Sequence, residues 1–217
     1  MPGFGAWLQS GIAPIMIEYA LSQIPGNRMA RPKSEDKRNA ILAAATRVIG
    51  EQGEGAPTAK IAREAGVAEG TLFTYFATKD ALLNALYADI KNDLGAAMLA
   101  AYPSTDSVRN RLHHAWSTYV DWSVRHPLKR KVMAQLGMSQ TITEQTKAEL
   151  SEAFSYFNGL LGESMATGKL RNQSTSFVIA IMGSLVETTM DFIAREPDNA
   201  ARYREDGFEA FWNAVAL

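Results

Sequence analysis

Apolar side chains recur every three or four residues along nearly all of this chain from residue 41 onward, and this spacing restricts its fold strongly. The first such run contains Ile41, Leu42, Ala45, Val48 and Ile49. Similar runs follow as far as Trp212, and no stretch alternates with a period of two for long enough to indicate a sheet. The chain has 217 residues, of which 47% are hydrophobic, enough to bury a sizeable core. The sequence therefore predicts an all-α fold.

Capping and helix-ending residues divide this pattern into successive helices. Thr58 and Thr78 are expected to cap two of them, residues 141–144 (TITE) fit a capping box, and Gly66 and Gly168 are expected to turn the chain. Helices are expected over about 34–52, 58–65, 68–76, 79–101, 106–125, 128–137, 144–167, 174–195 and from about 198 onward. We expect an N-terminal extension or arm over 1–33, a head over 34–78 and a larger body over 79–217.

The N-terminal segment raises the question of targeting. Residues 3–24 are apolar, but no Lys or Arg precedes them, and Pro14 and Glu18 interrupt them, unlike a signal peptide or a spanning helix. Met29 opens the sequence MARPKSEDKR, which resembles a natural start. Residues 1–28 are therefore either an over-long start assignment or an amphipathic arm beside the head. We expect no membrane span and a cytoplasmic location.

The formal charge is unevenly distributed along the chain, although the total is only −1. Residues 28–79 contain nine Lys or Arg and six Asp or Glu, a formal charge of +3. Residues 80–217 contain thirteen and sixteen, a formal charge of −3. The head is therefore locally basic, which favours contact with nucleic acid there and not along the body.

The residue inventory excludes several kinds of site. The chain has no cysteine, which removes disulfides, thiolate zinc sites and cysteine nucleophiles. His113 and His114 are adjacent and diverge by about 100° on a helix, so they cannot share a metal. The third histidine, His126, stands before Pro127 at an expected helix end. No Gly-rich phosphate loop or HExxH motif is present. We expect no metal, no cofactor and no enzymatic activity.

Residues 58–79, TAKIAREAGVAEGTLFTYFATK, are the most informative segment. Two short helices joined by a tight turn at Gly66 have the arrangement of a helix-turn-helix. On the second helix Leu72 and Phe76 point together toward the core. Its outer face carries Gly70, Thr71 and Thr74, flanked by Phe73 and Tyr75. Such a face is unusual for a helix that only contacts solvent, and it favours a DNA-binding role. The alternative is a helical hairpin with a purely structural role.

An ordered set of residues across about 36–86 carries a resemblance to a known family. The set is Thr58, Ile61-Ala62, Ala65-Gly66-Val67, Gly70-Thr71-Leu72-Phe73, Tyr75-Phe76, Lys79 and Leu82-Leu83. On these residues the chain resembles the TetR/AcrR transcriptional regulators; beyond residue 90 the similarity is one of architecture. The resemblance implies an N-terminal three-helix bundle with a helix-turn-helix, and a larger helical C-terminal domain that binds an effector and dimerises.

The resemblance also implies which residues meet DNA. The helix over 68–76 would lie in the major groove, with Thr74 on its outer face. The residues nearest the bases would be Glu69, Gly70, Thr71 and Phe73. The phosphate contacts would come from Thr58, Lys60, Tyr75 and Lys79. Glu69 either accepts a hydrogen bond from a cytosine amino group or only stabilises the start of its helix. Phe73, where many relatives carry Tyr, is either a base contact or a partly buried aromatic.

In the body, the resemblance implies an effector cavity and a dimer interface. The candidate lining residues are aromatic and Met side chains that could equally fill a core: Trp116, Tyr119, Met133, Met138, Phe154, Phe157 and Met182. The helices over 144–167 and 174–195 are too apolar for a lone surface pair. The resemblance suggests that they form a four-helix interface with their copies.

These expectations together predict a homodimeric repressor that binds a palindromic operator in double-stranded DNA. A small-molecule effector of unknown identity would release it. Two alternatives stay open. One is a non-regulatory DNA-binding protein with the same type of head. The other is a helical small-molecule enzyme, for which no nucleophile, metal site or acid/base pair is recognisable in the sequence.

Overall fold

The computed structural model describes residues 33–153 and 155–217. The described residues form α1 (Lys33–Gln52), α2 (Thr58–Glu64), α3 (Glu69–Tyr75), α4 (Lys79–Leu99), α5 (Val108–Arg125), α6 (Pro127–Gly137), α7 (Glu144–Ala153), α8 (Ser155–Ala166), α9 (Thr175–Arg195) and α10 (Ala200–Val215). A 3-10 turn at Pro197–Asn199 precedes the last helix. Within these residues the only β pairing is an isolated bridge between Leu170 and Ala216. The all-α prediction is confirmed.

Local capping chemistry explains most helix boundaries. The Thr78 hydroxyl accepts a hydrogen bond from the Ala81 N–H at 3.0 Å, so Thr78 caps α4 as predicted. Gly168, two residues after the end of α8, has φ +70°, a left-handed conformation that favours glycine. Two cap assignments were wrong. Thr58 is the first residue of α2, after the N-cap Pro57. Before α7, the Thr146 N–H donates to Thr143 at 3.1 Å, which places the cap two residues later than the first residue of the TITE box.

The remaining boundaries agree with the sequence to within a few residues. The helix expected over 144–167 is described as α7 and α8, with residue 154 outside the described residues. His126 lies between α5 and α6, and Pro127 opens α6, as the sequence predicted. The N-terminal extension or arm over 1–33 lies almost wholly outside the described residues. Residues Ala40–Leu217 form one compact unit, and the division into head and body stays a prediction.

Two clusters of buried apolar side chains hold this unit together. The first joins α1, α2 and α3 to α4 through Ile41, Ile61, Leu72 and Leu86, all of them inaccessible to solvent. The second joins α5, α8, α9 and α10, and its centre is Trp116, which stacks on Phe211 with ring centroids 6.0 Å apart. Each such side chain contributes roughly 1.5–3 kcal/mol on burial. Because buried side chains recur on one face of α4 from Leu82 to Met98, it extends the core of the first three helices into the body.

Helix α9 is unusually apolar for its exposure. Among the described helices it alone is long and apolar enough to cross a bilayer, with a mean hydropathy of 1.6 in its most apolar window and 28% of that window buried. A core helix of a water-soluble protein has the same composition. Helix α9 packs on α10 and α5, and Phe177, Ile179 and Phe192 are exposed on it. Exposed apolar side chains of this kind are typical of an interaction surface.

Candidate DNA-binding head and ligand cavity

A sharp turn holds α2 and α3 in the helix-turn-helix arrangement. Gly66 has φ +69°, which glycine adopts without strain. The Ala65 N–H donates to the Ile61 carbonyl at 2.9 Å, and the Val67 N–H donates to the Ala62 carbonyl at 3.0 Å. These hydrogen bonds end α2 and redirect the chain into α3. The geometry is that of two short helices crossing through a tight turn, as the sequence predicted.

Burial fixes which face of α3 is presented to solvent. Leu72 is inaccessible and Phe76 is 4% exposed, so both anchor α3 in the core as predicted. On the other side Gly70 and Thr74 are exposed, Thr71 is half-buried, and Phe73 is 41% exposed. Phe73 thus lies outside the two buried clusters, and its contact with a base stays a prediction. A helix of this kind presents small and apolar groups outward, which suits contact with thymine methyl groups in a major groove.

Thr58 and Glu69 are joined by a hydrogen bond that the sequence did not suggest. The Thr58 hydroxyl donates to Glu69 Oε1 at 2.7 Å, linking the first residue of α2 to the first residue of α3. The hydroxyl proton assigned to a phosphate contact is therefore engaged within the protein. Glu69 lies in the first turn of α3, where a carboxylate is favoured by the helix dipole. Both residues position the two helices relative to each other.

The other phosphate candidates flank α3. Lys60 lies on α2, Tyr75 ends α3, and Lys79 is the first residue of α4; all three are half-buried. Tyr75 packs against the first core cluster, which holds its ring in place. Thr74 donates its hydroxyl to the Gly70 carbonyl at 3.1 Å, which leaves its methyl group outward as an apolar contact. The contacts of these residues with DNA stay predictions.

The body contains a cavity of about 360 Å³ between α4, α5, α7, α8 and α9. One stripe of α4 lines it with Tyr87, Lys91, Leu94 and Met98. The opposite walls are Leu112, Ala115 and Tyr119 of α5, Lys147, Leu150 and Ser151 of α7, Leu161 of α8, and Ile179, Met182 and Gly183 of α9. The size lies near the lower end of the range of about 300–1,000 Å³ that is usual for small-molecule sites.

The cavity is lined by only some of the residues suggested for it. Tyr119 and Met182 line it. Trp116 is instead fully buried in the second core cluster and donates its Nε1–H to the Arg204 carbonyl at 2.9 Å. Met133 is buried in the first cluster, and Met138, just after α6, is 91% exposed. Phe154 and the side chain of Phe157 lie outside the described residues. Helical spacing cannot separate these outcomes, because core and cavity-lining positions share it.

Sequence reasoning missed the polar side chains of the cavity. Tyr87 and Lys91 lie on the same stripe of α4 as Leu94 and Met98, so a Lys inside an apolar helical stripe was the available signal. Burial raises the pKa of Tyr119 to about 12, with Glu187 and Tyr87 adding to the effect and Arg130 opposing it. Burial also raises the pKa of Tyr87, against the charge of Lys147. Burial lowers the pKa of Lys91.

The histidines are used elsewhere. His113 Nε2 lies 3.0 Å from a carboxylate oxygen of Glu205, and His114 Nε2 lies 3.1 Å from the Met98 carbonyl. Their rings thus face different partners, in line with their divergence on α5. Across the described ranges, no group of three or more His, Asp or Glu residues is placed to hold a metal ion.

Comparison with known proteins shows a family similarity for the helix-turn-helix segment and for the fold. The model for bacterial regulatory proteins of the tetR family matches residues 41–86, which hold α2, α3 and their core partners on α1 and α4. A crystal structure from Shewanella sp. PV-4, named as a tetR family transcription regulator, superposes with a TM-score of 0.77 at 28% identity, covering 83% of this chain and 98% of that one. Residues 41–86 thus match the tetR family, and the described fold is similar to that of a tetR family regulator.

Two curated relatives match over shorter stretches. The HTH-type transcriptional regulator EthR of Mycobacterium tuberculosis (strain CDC 1551 / Oshkosh) is 30% identical over 136 residues, 59% of each chain. The nucleoid occlusion factor SlmA of Haemophilus influenzae (strain PittGG) is 25% identical over 119 residues, 54% of this chain and 55% of that protein. The chain therefore spans little more than half the length of the curated relatives it matches.

Proposed function

We propose that this protein is a transcriptional repressor that binds a palindromic operator as a homodimer and is released by a small molecule. The observation that carries the proposal is the outward face of α3, held rigidly by the buried Leu72 and Phe76. Gly70, Thr71, Phe73 and Thr74 lie there, and the one acid beside them, Glu69, accepts a hydrogen bond from Thr58. Such a face can approach base edges closely, while Lys60 and Lys79 on the flanking helices contact phosphates.

Two features support a response to a ligand. The cavity is lined by α4, and the same helix begins at Lys79, three residues after the buried Phe76. A molecule that occupies the cavity therefore acts on the helix that carries a proposed phosphate contact. Release requires that the ligand bind the DNA-incompetent state more tightly than the DNA-competent one. By linkage, operator DNA then weakens ligand binding by the same factor.

The exposed apolar side chains of α9 support a dimer. Phe177 is 55% exposed and Phe192 is 42% exposed. Both lie on the most apolar of the long helices that the structure describes. Helices α8 and α9 and their copies would bury these groups in a four-helix interface. A two-fold dimer presents two copies of α3 to two half-sites, which is why a palindromic operator is expected.

Selection of genomic fragments bound by the purified protein would identify the operator. Affinity for it should fall steeply as salt rises, because phosphate contacts release counterions. Lys79→Ala should weaken binding and reduce the slope of log affinity against log salt by about 2, because the homodimer loses one phosphate contact at each half-site. Lys131→Ala, a matched exposed lysine on α6, should change neither. An unchanged slope in Lys79→Ala would remove Lys79 from the interface, and absence of any DNA binding would overturn the proposal.

The similarity to a nucleoid occlusion factor gives a second candidate function, a DNA-binding protein that does not regulate transcription. The two candidates predict different distributions along the chromosome. A repressor should occupy a few palindromes beside promoters, whereas a non-regulatory protein should bind at many sites without regard to promoters. Chromatin immunoprecipitation with sequencing separates them.

A further inference from the structure

We propose that the cavity binds an uncharged, largely apolar ligand with a carbonyl group, whose oxygen accepts a hydrogen bond from the Tyr119 hydroxyl. The apolar part of the ligand lies against Leu94, Met98 and Leu112 at the other end of the cavity. The inference deepens the proposed function, since it names the chemical class of the effector and rests on the cavity being the effector site. It is carried by which polar groups of the lining already have partners and which do not.

The direction of α4 relative to α5 separates an apolar end of the cavity from a polar one. His114 Nε2 lies 3.1 Å from the Met98 carbonyl, and the Trp122 Nε1–H donates to Asp93 at 3.0 Å. Later residues of α5 thus lie beside earlier residues of α4, and the two helices are antiparallel. Leu112 accordingly lies near the Met98 end of the cavity, which is apolar on both walls.

The two lysines of the lining are matched by groups of the protein itself. Lys147 pairs with Glu144 at 2.7 Å, and Lys91 has an interaction partner of its own. None of the lining residues that the structure describes is Asp or Glu. A charged ligand would therefore lose its hydration in the cavity without gaining a counter-charge, which disfavours both anions and cations.

Two phenolic hydroxyls of the lining, those of Tyr87 and Tyr119, have no hydrogen-bond partner in the described part of the chain. Burial raises the pKa of Tyr119 to about 12, so its hydroxyl keeps its proton and remains a donor at neutral pH. The Tyr119 ring packs against both core clusters, which hold it in place. Because a buried donor without a partner is unfavourable, an accepting oxygen of a ligand is stabilised beside it.

The positions of the two phenols favour Tyr119 as the donor. A Cβ built at Gly137 of α6 would lie 3.5 Å from the Tyr87 hydroxyl, and Gly137 is not a lining residue. The Tyr87 hydroxyl thus lies toward α6, at the edge of the cavity. Tyr119 lies on the same face of α5 as Leu112 and Ala115, which also line the cavity. A ligand that packs on this face reaches Tyr119 directly.

A pair of probes with one shape isolates the hydrogen bond. In (3-methylbut-3-enyl)benzene a methylidene group replaces the carbonyl oxygen of 4-phenylbutan-2-one, and the rest of the molecule is the same. Isothermal titration calorimetry of the full-length protein without DNA, below the solubility limit of each probe, measures both affinities. Absence of binding by the ketone would overturn the proposal.

Tyr119→Phe removes the proposed donor and little else. It should lower the affinity for the ketone about tenfold, because the carbonyl loses its partner, and should leave the affinity for the alkene unchanged within about twofold. Retained binding of the alkene shows that the cavity remains folded. Tyr203→Phe on α10, outside the cavity, should change neither affinity. Equal effects of Tyr119→Phe on the two probes, or a selective loss for the ketone in Tyr87→Phe alone, would overturn the assignment to Tyr119.

Two charged probes test whether the ligand is neutral. The ions 3-phenylpropanoate and 4-phenylbutan-2-ammonium keep the same apolar part and carry a negative and a positive charge. Each should bind about tenfold or more weakly than the ketone, because a charge transferred from water without a counter-charge costs more than one hydrogen bond contributes. Binding of either ion as tight as that of the ketone would contradict the neutral class.

Operator release is measured separately, so the two proposals can fail independently. If the ketone binds through Tyr119 but leaves the operator complex intact, the carbonyl site stands and the ligand response proposed for the protein fails. If Tyr119→Phe does not distinguish the ketone from the alkene while another molecule releases the operator, the response stands and the carbonyl assignment fails.

Discussion

Glu69 is the residue of the head whose role the contacts change most. Its carboxylate accepts the Thr58 hydroxyl proton across the two helices, and it lies on the face that meets a polyanion. An amide can still accept this hydrogen bond but carries no charge. We therefore expect Glu69→Gln to bind DNA about two- to fivefold more tightly at low salt, the scale of one exposed charge interaction. Fluorescence anisotropy with operator and with unrelated duplexes measures the change.

The same substitution separates the two roles that the sequence left open for Glu69. If Glu69 only positions the helices, the gain should be equal for operator and unrelated DNA. A loss of affinity confined to the operator would mean that the carboxylate reads a cytosine amino group. Glu51→Gln, an exposed acid at the end of α1, is the matched control and should alter DNA affinity less.

Gly207 is a residue whose importance only the packing reveals. It lies on α10, and a Cβ built there would collide with the Thr189 hydroxyl and approach Trp116 Cζ2 to 2.7 Å. Both neighbours are buried, so neither can move freely. We expect Gly207→Ala to lower the free energy of unfolding by about 1–3 kcal/mol through overpacking. Urea denaturation at a fixed protein concentration measures this change in the free energy of unfolding.

Gly55→Ala is the control, because a Cβ built at Gly55 meets nothing within 4 Å. It should change the free energy of unfolding by less than about 0.5 kcal/mol. Equal effects in both variants would contradict the packing argument.

The sequence predicted the environment of some residues correctly and that of others wrongly. Leu72 and Phe76 were correctly placed in the core, because α3 is short and its apolar spacing has one solution. Met138 was assigned to a cavity and is 91% exposed, because it lies just beyond α6, where helical spacing no longer defines a face. Trp116 fills the core and not the cavity, a difference set by contacts with α10 at a sequence separation of 88 residues. No local pattern records a contact of that separation.

At the scale of elements, Asn84 joins α4 to the start of α7. Its Nδ2–H donates to the carbonyls of Asp80 and Thr141 at 2.8 and 2.9 Å. Its Oδ1 accepts the Thr143 N–H and the Thr146 hydroxyl, both at 2.9 Å. A single side chain thus holds the cap of a helix that lines the cavity against the helix that follows α3. Asn84 thus connects α4 directly to the start of α7 through side-chain hydrogen bonds.

Removal of the Asn84 amide should therefore loosen α7 more than α4. Asn84→Ala leaves the cap of α7 without its partner, at a cost of about 1–3 kcal/mol for the unsatisfied polar groups. Hydrogen exchange followed by mass spectrometry should show faster exchange of amides in Glu144–Ala153, while α2 and α3 keep their protection. Asn92→Ala, an exposed asparagine on the same helix, is the matched control. Equal exchange of α7 in the two variants would show that Asn84 does not hold this helix.

The ends of helices could be predicted where residues close in sequence determine them. The Thr78 cap and the stop at Gly168 follow from chemistry within a few residues, and both were predicted. The cap of α7 lies two residues later than predicted, because Thr141 with Glu144 fits a capping box and Thr143 with Thr146 does not. Only Asn84, 57 residues away, decides between them by accepting the Thr143 N–H and donating to the Thr141 carbonyl. The cavity is formed by five helices that are far apart in sequence, so a local sequence pattern could not predict its walls either.

At the scale of the whole molecule, the distribution of charge and of apolar surface divides the chain between two kinds of partner. Residues 28–79 carry a formal charge of +3, and residues 80–217 carry −3. Phosphates therefore attract the head and repel the body. The exposed apolar side chains of α9 lie within the acidic part, where DNA is disfavoured. The partner proposed for them is a second copy of the body, in contact through α8 and α9.

Phe177 allows this dimer to be tested. It is 55% exposed on α9, and burial of an aromatic at an interface commonly contributes about 2 kcal/mol or more. Phe177→Arg should therefore raise the dimer dissociation constant by about thirtyfold or more, since each 1.4 kcal/mol is roughly a factor of ten. Size-exclusion chromatography with light scattering should show monomers. Affinity for the full palindrome should fall sharply, while the weak affinity for a single half-site stays. Val124→Arg, at a 47% exposed apolar residue on α5, should remain dimeric. Persistence of the dimer in Phe177→Arg would move the interface away from this part of α9, and loss of the dimer in both variants would mean that α5 contributes to it as well.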